Sequence, residues 1–195
     1  GEAVRMSKRT GEMITFEELI DEVGVDATRF LMLSKSSDQP IDFDIEVAKK
    51  KDASNPVYYV QYAHARICSI LRKAADEADA AAAEAGEMPM DELAGKIVPE
   101  NVDLSALTHP SELALMRKMD EFASLVALAA RDRAAFRLTH YAQDLAALFH
   151  SFYTNCRIVG EEPAVRDARL ALADSVRIVL ALTLGLLGVS APVKM

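Results

Sequence analysis

Apolar residues recur along most of this chain at intervals of three and four, the spacing that gathers them on one face of an α-helix. Val57, Val60, His64, Ile67 and Leu71 show it most plainly, an apolar stripe with one histidine in it. Asn55, Tyr59, Tyr62 and Arg66 form a second stripe on the same segment, displaced by two residues. At 3.6 residues per turn that displacement is about 200°, so the two stripes face opposite ways. Further on, Tyr141, Leu145, Leu148 and Phe152 make another core stripe, with Phe149, Tyr153 and Arg157 beside it at fourfold spacing. Phe149 is assigned to the core as well.

Start and stop signals divide the chain into elements. Thr15-Phe16-Glu17-Glu18 fits a capping box ahead of a short helix to about Val23, and Gly24 stops it. Asp26 is placed as the cap of a second helix to about Ser34. The turn-forming stretch from Ser36 to Asp42 predicts a loop, and Asp44 to Lys51 a third short helix. Asn55-Pro56 opens the longest helix, unbroken until Gly86. The Pro-, Gly- and acid-rich region from Gly86 to Pro110 is expected to be a surface linker or hairpin. Single helices are predicted over Ser111 to Arg133, Ala135 to Arg157 and Pro163 to Leu187, with Gly185 and Gly188 ending the last. No strand-like alternation is convincing, so the fold class is all-α: a helical bundle of long helices with short connections.

Charge changes the picture only once it is located. The 195 residues carry a net −8, which argues against a polyanionic partner. From Asp76 to Asp103, however, nine acidic residues meet one basic residue, Lys96, and the rest of the chain balances to zero. The acidity belongs to one peripheral segment, and a basic face elsewhere is allowed. Cys68 and Cys156 lie in apolar helical patterns with no secretory leader before them, which implies a reduced, cytoplasmic setting. The most apolar run, Val176 to Val189, is interrupted by Arg177 and two glycines and is too short to span a bilayer, so no membrane is expected as a partner.

Two places carry candidate chemistry. Arg5-Met6-Ser7-Lys8-Arg9 sets a serine and cations next to Gly11; Lys8 as a point charge and Arg9 as a planar donor fork suit a polyphosphate. A solvated basic terminus has the same composition. On the second stripe, two phenols, a guanidinium and an amide in line suit unstacked RNA bases, with rings to stack on and an amide to read an edge. A bundle helix packed on both sides would look alike. His64 lies on the core stripe and is read as a hydrogen-bonded interior residue. His109, His140 and His150 share no metal-ligand spacing with the cysteines, so no metal site is assigned.

Several motifs resemble one family. Val4-Arg5-Met6-Ser7-Lys8-Arg9-Thr10-Gly11 is similar to the KMSKS loop of class I aminoacyl-tRNA synthetases, with Arg5 for the first lysine. Asp26-Ala27-Thr28-Arg29 resembles the motif that names the DALR anticodon-binding domain, with Thr28 where leucine is usual. The run from Asn55 to Arg66, the segment Phe149-His150-Ser151-Phe152-Tyr153 and the terminus Leu186-Leu187-Gly188-Val189-Ser190-Ala191-Pro192 resemble arginyl-tRNA synthetases. The resemblance implies the C-terminal part of a larger arginine–tRNA ligase. Residues 1–23 would end a catalytic domain, and 24–195 would be an all-helical anticodon-binding domain, with 76–110 a peripheral insertion or hairpin.

It implies roles too. Arg5, Met6, Ser7 and Lys8 would bind ATP, and Ser7, Lys8 and Arg9 would serve catalysis in the full-length enzyme, with ATP and magnesium as its cofactors. Asn55, Tyr59, Arg66, Tyr153 and Met195 would meet the anticodon loop of an arginine tRNA, with Lys194 where arginine is frequent. Tyr62 joins them from spacing alone. The partner HIGH-type motif is absent from the sequence, so this chain by itself is expected not to aminoacylate; it is expected to bind tRNA, to need no cofactor by itself and to be a monomer. Cysteinyl-type relatives and a helical protein-interaction module are the alternatives.

Overall fold

A computed structural model describes residues 15–41, 43–77 and 88–195. Among these residues there are nine α-helices, one 3₁₀ turn and no strand. At the start, α1 (Phe16–Val23) carries the complete capping box: the Thr15 hydroxyl accepts from the Glu18 N–H, and the Glu18 carboxylate from the Thr15 N–H. Gly24, at φ +85°, ends it and opens α2 (Val25–Leu33) directly. Asp26 is therefore not the cap expected of it. Helix α2 begins two residues too early for that, with Gly24 at the cap position, leaving the carboxylate in the first turn and free for a distant partner. Thr28, the departure from the usual leucine, is buried and donates its hydroxyl proton to the Gly24 carbonyl at 2.9 Å. Asp44 caps the short α3 (Ile45–Lys49) through the Val47 N–H.

The long helix α4 (Pro56–Glu77) runs through the middle, packed against α2, α5 (Met90–Ile97), α8 (Phe136–Asn155) and α9 (Pro163–Leu186). Every member of its predicted core stripe is buried, His64 included. The stretch expected to be a surface linker does more than connect. Met90, Leu93 and Ala94 of α5 are buried, and Asp91 pairs with the buried Arg177 of α9 at 2.7 Å. Asp174 takes the same guanidinium at 2.7 Å, so a buried cation is matched by two carboxylates.

The helix predicted over Ser111 to Arg133 is two helices, α6 (Pro110–Asp120) and α7 (Phe122–Asp132). No glycine or proline separates them. Instead the buried Tyr141 donates its hydroxyl to the Lys118 carbonyl at 2.9 Å, taking the acceptor that a continuing helix would offer Phe122. His109 caps α6 through Nδ1, and Glu112, fully buried, both accepts from the His109 N–H and pairs with Arg169 at 2.6 Å.

Helix α9 ends on a Schellman motif. The Val189 N–H reaches the Leu184 carbonyl and the Gly188 N–H that of Gly185, with Gly188 at φ +66°. Gly185, expected to help end the helix, stays inside it. Past Gly188 the tail runs back along α4. The Asp26 carboxylate accepts from the Ser190 N–H at 3.1 Å, from its hydroxyl, and from Gln61 Nε2 at 2.8 Å. His64 Nδ1 donates to the Pro192 carbonyl at 2.9 Å, and Arg72 to that of Val193 at 2.9 Å.

Candidate functional site

The second stripe of α4 and the flank of α8 meet along one surface seam. Asn55 sits at its head but does not face outward. It is 4% exposed, its Oδ1 accepts from the Val57 and Tyr58 N–H groups, and its Nδ2 donates to the Ala48 and Lys50 carbonyls. Both amide protons and the oxygen are spent on the main chain. Asn55 is thus the cap of α4 and the clamp on the loop after α3, and it offers no edge to a base, contrary to the expectation from the sequence.

Below it the rings gather around a histidine. Tyr59 is half-buried, its ring 4.8 Å from that of His150, and burial raises its phenol pKa. Tyr62 is 37% exposed and stacked between Tyr58 at 6.1 Å and His150 at 5.9 Å. These four rings, with Lys51, Asp52 and Ala53, line a hollow of about 490 Å³. Burial, and then the charge of Arg66, hold the His150 imidazole below its ordinary pKa, while a hydrogen bond with the Tyr59 main chain works the other way. The ring is therefore neutral at pH 7, and its Nε2 is buried without a partner.

One turn further, Arg66 lies over the Tyr153 ring, and Tyr153 in turn stacks on the buried Phe149 at 6.2 Å. Tyr153 is 37% exposed. A second hollow, of about 410 Å³, opens beyond this pair, where Ile70 and Lys73 of α4 face Tyr153, Arg157 and their neighbours at the end of α8. The seam thus reads, along α4, as a ring-lined hollow, a guanidinium on a phenol, and a cationic hollow.

The structure sets Tyr59, Tyr62 and Arg66 along one side of α4, as their spacing predicts, and brings Tyr153 of α8, a candidate from the family resemblance, against Arg66. Met195 is 51% exposed at the end of the tail that His64 and Arg72 hold. Arg5, Met6, Ser7, Lys8 and Arg9 lie outside the described residues. His150 and Tyr58 were not foreseen as site residues. His150 stands on α8 beside Tyr153, but its partners are on α4, and spacing within one helix cannot report them. Among the described residues no group of three His, Cys, Asp or Glu side chains is placed to hold a metal ion, and no helix is long and apolar enough to cross a membrane.

The profile of the DALR anticodon binding domain matches residues 60–195. An arginine–tRNA ligase of Heliobacterium modesticaldum is 51% identical over 195 residues, which are all of this chain and 33% of that protein. Among solved structures, the arginyl-tRNA synthetase of Thermus thermophilus superposes with a TM-score of 0.68 at 32% identity, covering 96% of this chain and 29% of that one. A Campylobacter jejuni chain described as an arginyl-tRNA synthetase gives 0.77 at 31% identity, covering 97% and 37%. The chain spans about a third of the length of the curated relatives it matches.

Proposed function

The chain belongs to the DALR anticodon-binding domain family, and from that premise we propose that it is the tRNA-reading part of an arginine–tRNA ligase, holding the anticodon loop of an arginine tRNA against the α4–α8 seam. The observation that carries this reading is the row of partly exposed Tyr62, Arg66 and Tyr153 on two helices, backed by the rings of His150 and the buried Phe149. Phenol and guanidinium planes stack on unpaired bases of any identity, at about 1–3 kcal/mol per base.

In this reading residues 24–195 form the binding domain, and α5 is a packed part of it and not a peripheral hairpin. Amino-acid activation with ATP and magnesium belongs to the full-length enzyme, where Ser7, Lys8 and Arg9, with Arg5 and Met6, would meet the nucleotide from one side. The chain carries no HIGH-type motif for the other side, so by itself it does not aminoacylate; its own role is to bind tRNA, in our reading as a monomer in the cytoplasm. The test is a titration against an arginine tRNA transcript and one with its anticodon replaced, at low and moderate salt. Selective, salt-sensitive binding is expected; equal binding to both transcripts would refute anticodon reading by this seam.

A further inference from the structure

We infer that the hollow between Lys73 and Arg157 is a phosphate subsite, which takes a backbone phosphate of the bound RNA at the end of the aromatic row. The inference rests on the reading of this seam as an RNA-binding face. No carboxylate lines the hollow, although the chain as a whole is acidic. The Arg157 guanidinium is held in place: Nε donates to the Val159 carbonyl at 2.9 Å, and the group crosses over Gly160 so closely that a Cβ there would lie 2.6 Å from Nη2. Gly160, at φ +81°, has the conformation and the missing side chain that this crossing needs. Arg157 makes no ion pair among the described residues, and its Nη donors are not spent on the Val159 carbonyl.

The remaining polar groups of the hollow are mostly engaged. Thr154 donates to the His150 carbonyl and the Asn155 amide to Ser151. Lys73, exposed on α4, and Arg157, exposed across from it, are the two cations that line the space. Two cations of fixed and flexible kind, with no carboxylate beside them, suit a ligand that is anionic and only accepts: a phosphate, met by a planar fork and a point charge. Tyr153 forms the wall next to Arg66, so a strand whose bases stack on the row would bring its backbone into this hollow.

The test uses the full chain, an arginine tRNA anticodon stem-loop, and the same stem-loop with neutral methylphosphonate linkages introduced one at a time. Lys73→Gln and Arg157→Gln should each weaken binding for every anticodon alike and lower the slope of log affinity against log salt by about 0.7, the value for one single-strand contact. One linkage should cost the native protein affinity and cost the double variant nothing. Arg157→Lys should recover part of the loss. Unchanged salt slopes and no such linkage, with Tyr62→Ala still weakening binding, would overturn the subsite and leave the reading of the seam intact. If the native chain fails to bind the stem-loop at all, both fall.

Discussion

Arg66 on α4 holds its guanidinium carbon 4.8 Å from the centre of the Tyr153 ring on α8, and its Nη2 donates to the hydroxyl of that same tyrosine at 3.4 Å. One side chain so fixes both the plane and the far end of the other. The two helices it joins are the two that carry the proposed RNA face, so the pair aligns the face while forming part of it.

Tyr153→Ala should therefore cost about 1–3 kcal/mol of tRNA affinity, the range for one lost stacking partner. Arg66→Lys keeps the charge and loses the plane, and should recover little of what Arg66→Ala loses. Filter binding with arginine tRNA measures both. Native affinity in a folded Tyr153→Ala protein would remove α8 from the face.

Tyr62 and Tyr59 should separate binding from stability. Tyr62 is 37% exposed and its ring lies 5.9 Å from that of His150 against 4.8 Å for Tyr59, so Tyr62→Ala should weaken tRNA binding at a smaller cost in stability than Tyr59→Ala. Tyr59 covers the His150 ring, so Tyr59→Ala should lose binding and also about 0.5–1.5 kcal/mol of fold stability from the broken ring contact. Urea unfolding read beside the titration distinguishes the two, and equal stability losses would show that Tyr62 is structural.

How far the sequence could be read depended on whether a feature was local. The stripes of α4 and α8, the capping box at Thr15 and the Gly188 stop are set by spacings within a few residues, and all stand in the structure. Met90, Leu93, Ala94 and Ile97 also carry helical spacing, but Pro89, Gly95 and Pro99 masked it. The break at Glu121 had no local signal, because its cause, Tyr141, lies 20 residues away. Asn55 was misread for a related reason. Its position on the stripe is correct, yet its amide turns back to carbonyls of the preceding loop, and periodicity reports direction around a helix, not what a cap reaches.

That assignment of Asn55 has its own consequence. Asn55→Ala would orphan two main-chain N–H groups of α4 and two carbonyls, Ala48 among them in a buried setting. The loss of a cap alone costs about 0.5–2 kcal/mol, and buried unsatisfied groups add to it. Denaturant midpoints should fall accordingly. An Asn55→Ala protein of native stability and weakened tRNA binding would instead return Asn55 to the RNA contact set.

The tail is held by a residue of α2. Asp26→Ala removes the acceptor of the Ser190 N–H and hydroxyl and of Gln61 at once, and should free residues 190–195 while leaving the helices folded. Faster carboxypeptidase trimming of the variant is expected. Deleting Met195 should then lower tRNA affinity in the native protein more than in Asp26→Ala, since a terminus that is not held contributes little. Identical trimming rates would show that His64 and Arg72 suffice to hold the tail.

Stability should fall on mild acidification, and the sign follows from two histidines. His64 is held below its ordinary pKa chiefly by burial, with Arg177 adding to the effect and both the Pro192 carbonyl and Asp91 opposing it; His150 is lowered by burial and Arg66. Each therefore binds its proton more readily in the unfolded chain, where an imidazole titrates near about 6.5. The unfolded state gains protons first as the pH drops, so stability is full above about 6.5 and declines until the folded pKa is passed. Free carboxylates titrate lower, near about 4, which leaves the interval from about 7 to about 5 to the histidines. Urea unfolding at both ends of that interval should show the loss, and His150→Phe, which keeps a ring against Tyr59 and Tyr62, should show less of it. The same dependence in His150→Phe would mean that the ring under the tyrosines does not titrate with folding, and that His64 with its hold on the tail carries the whole effect.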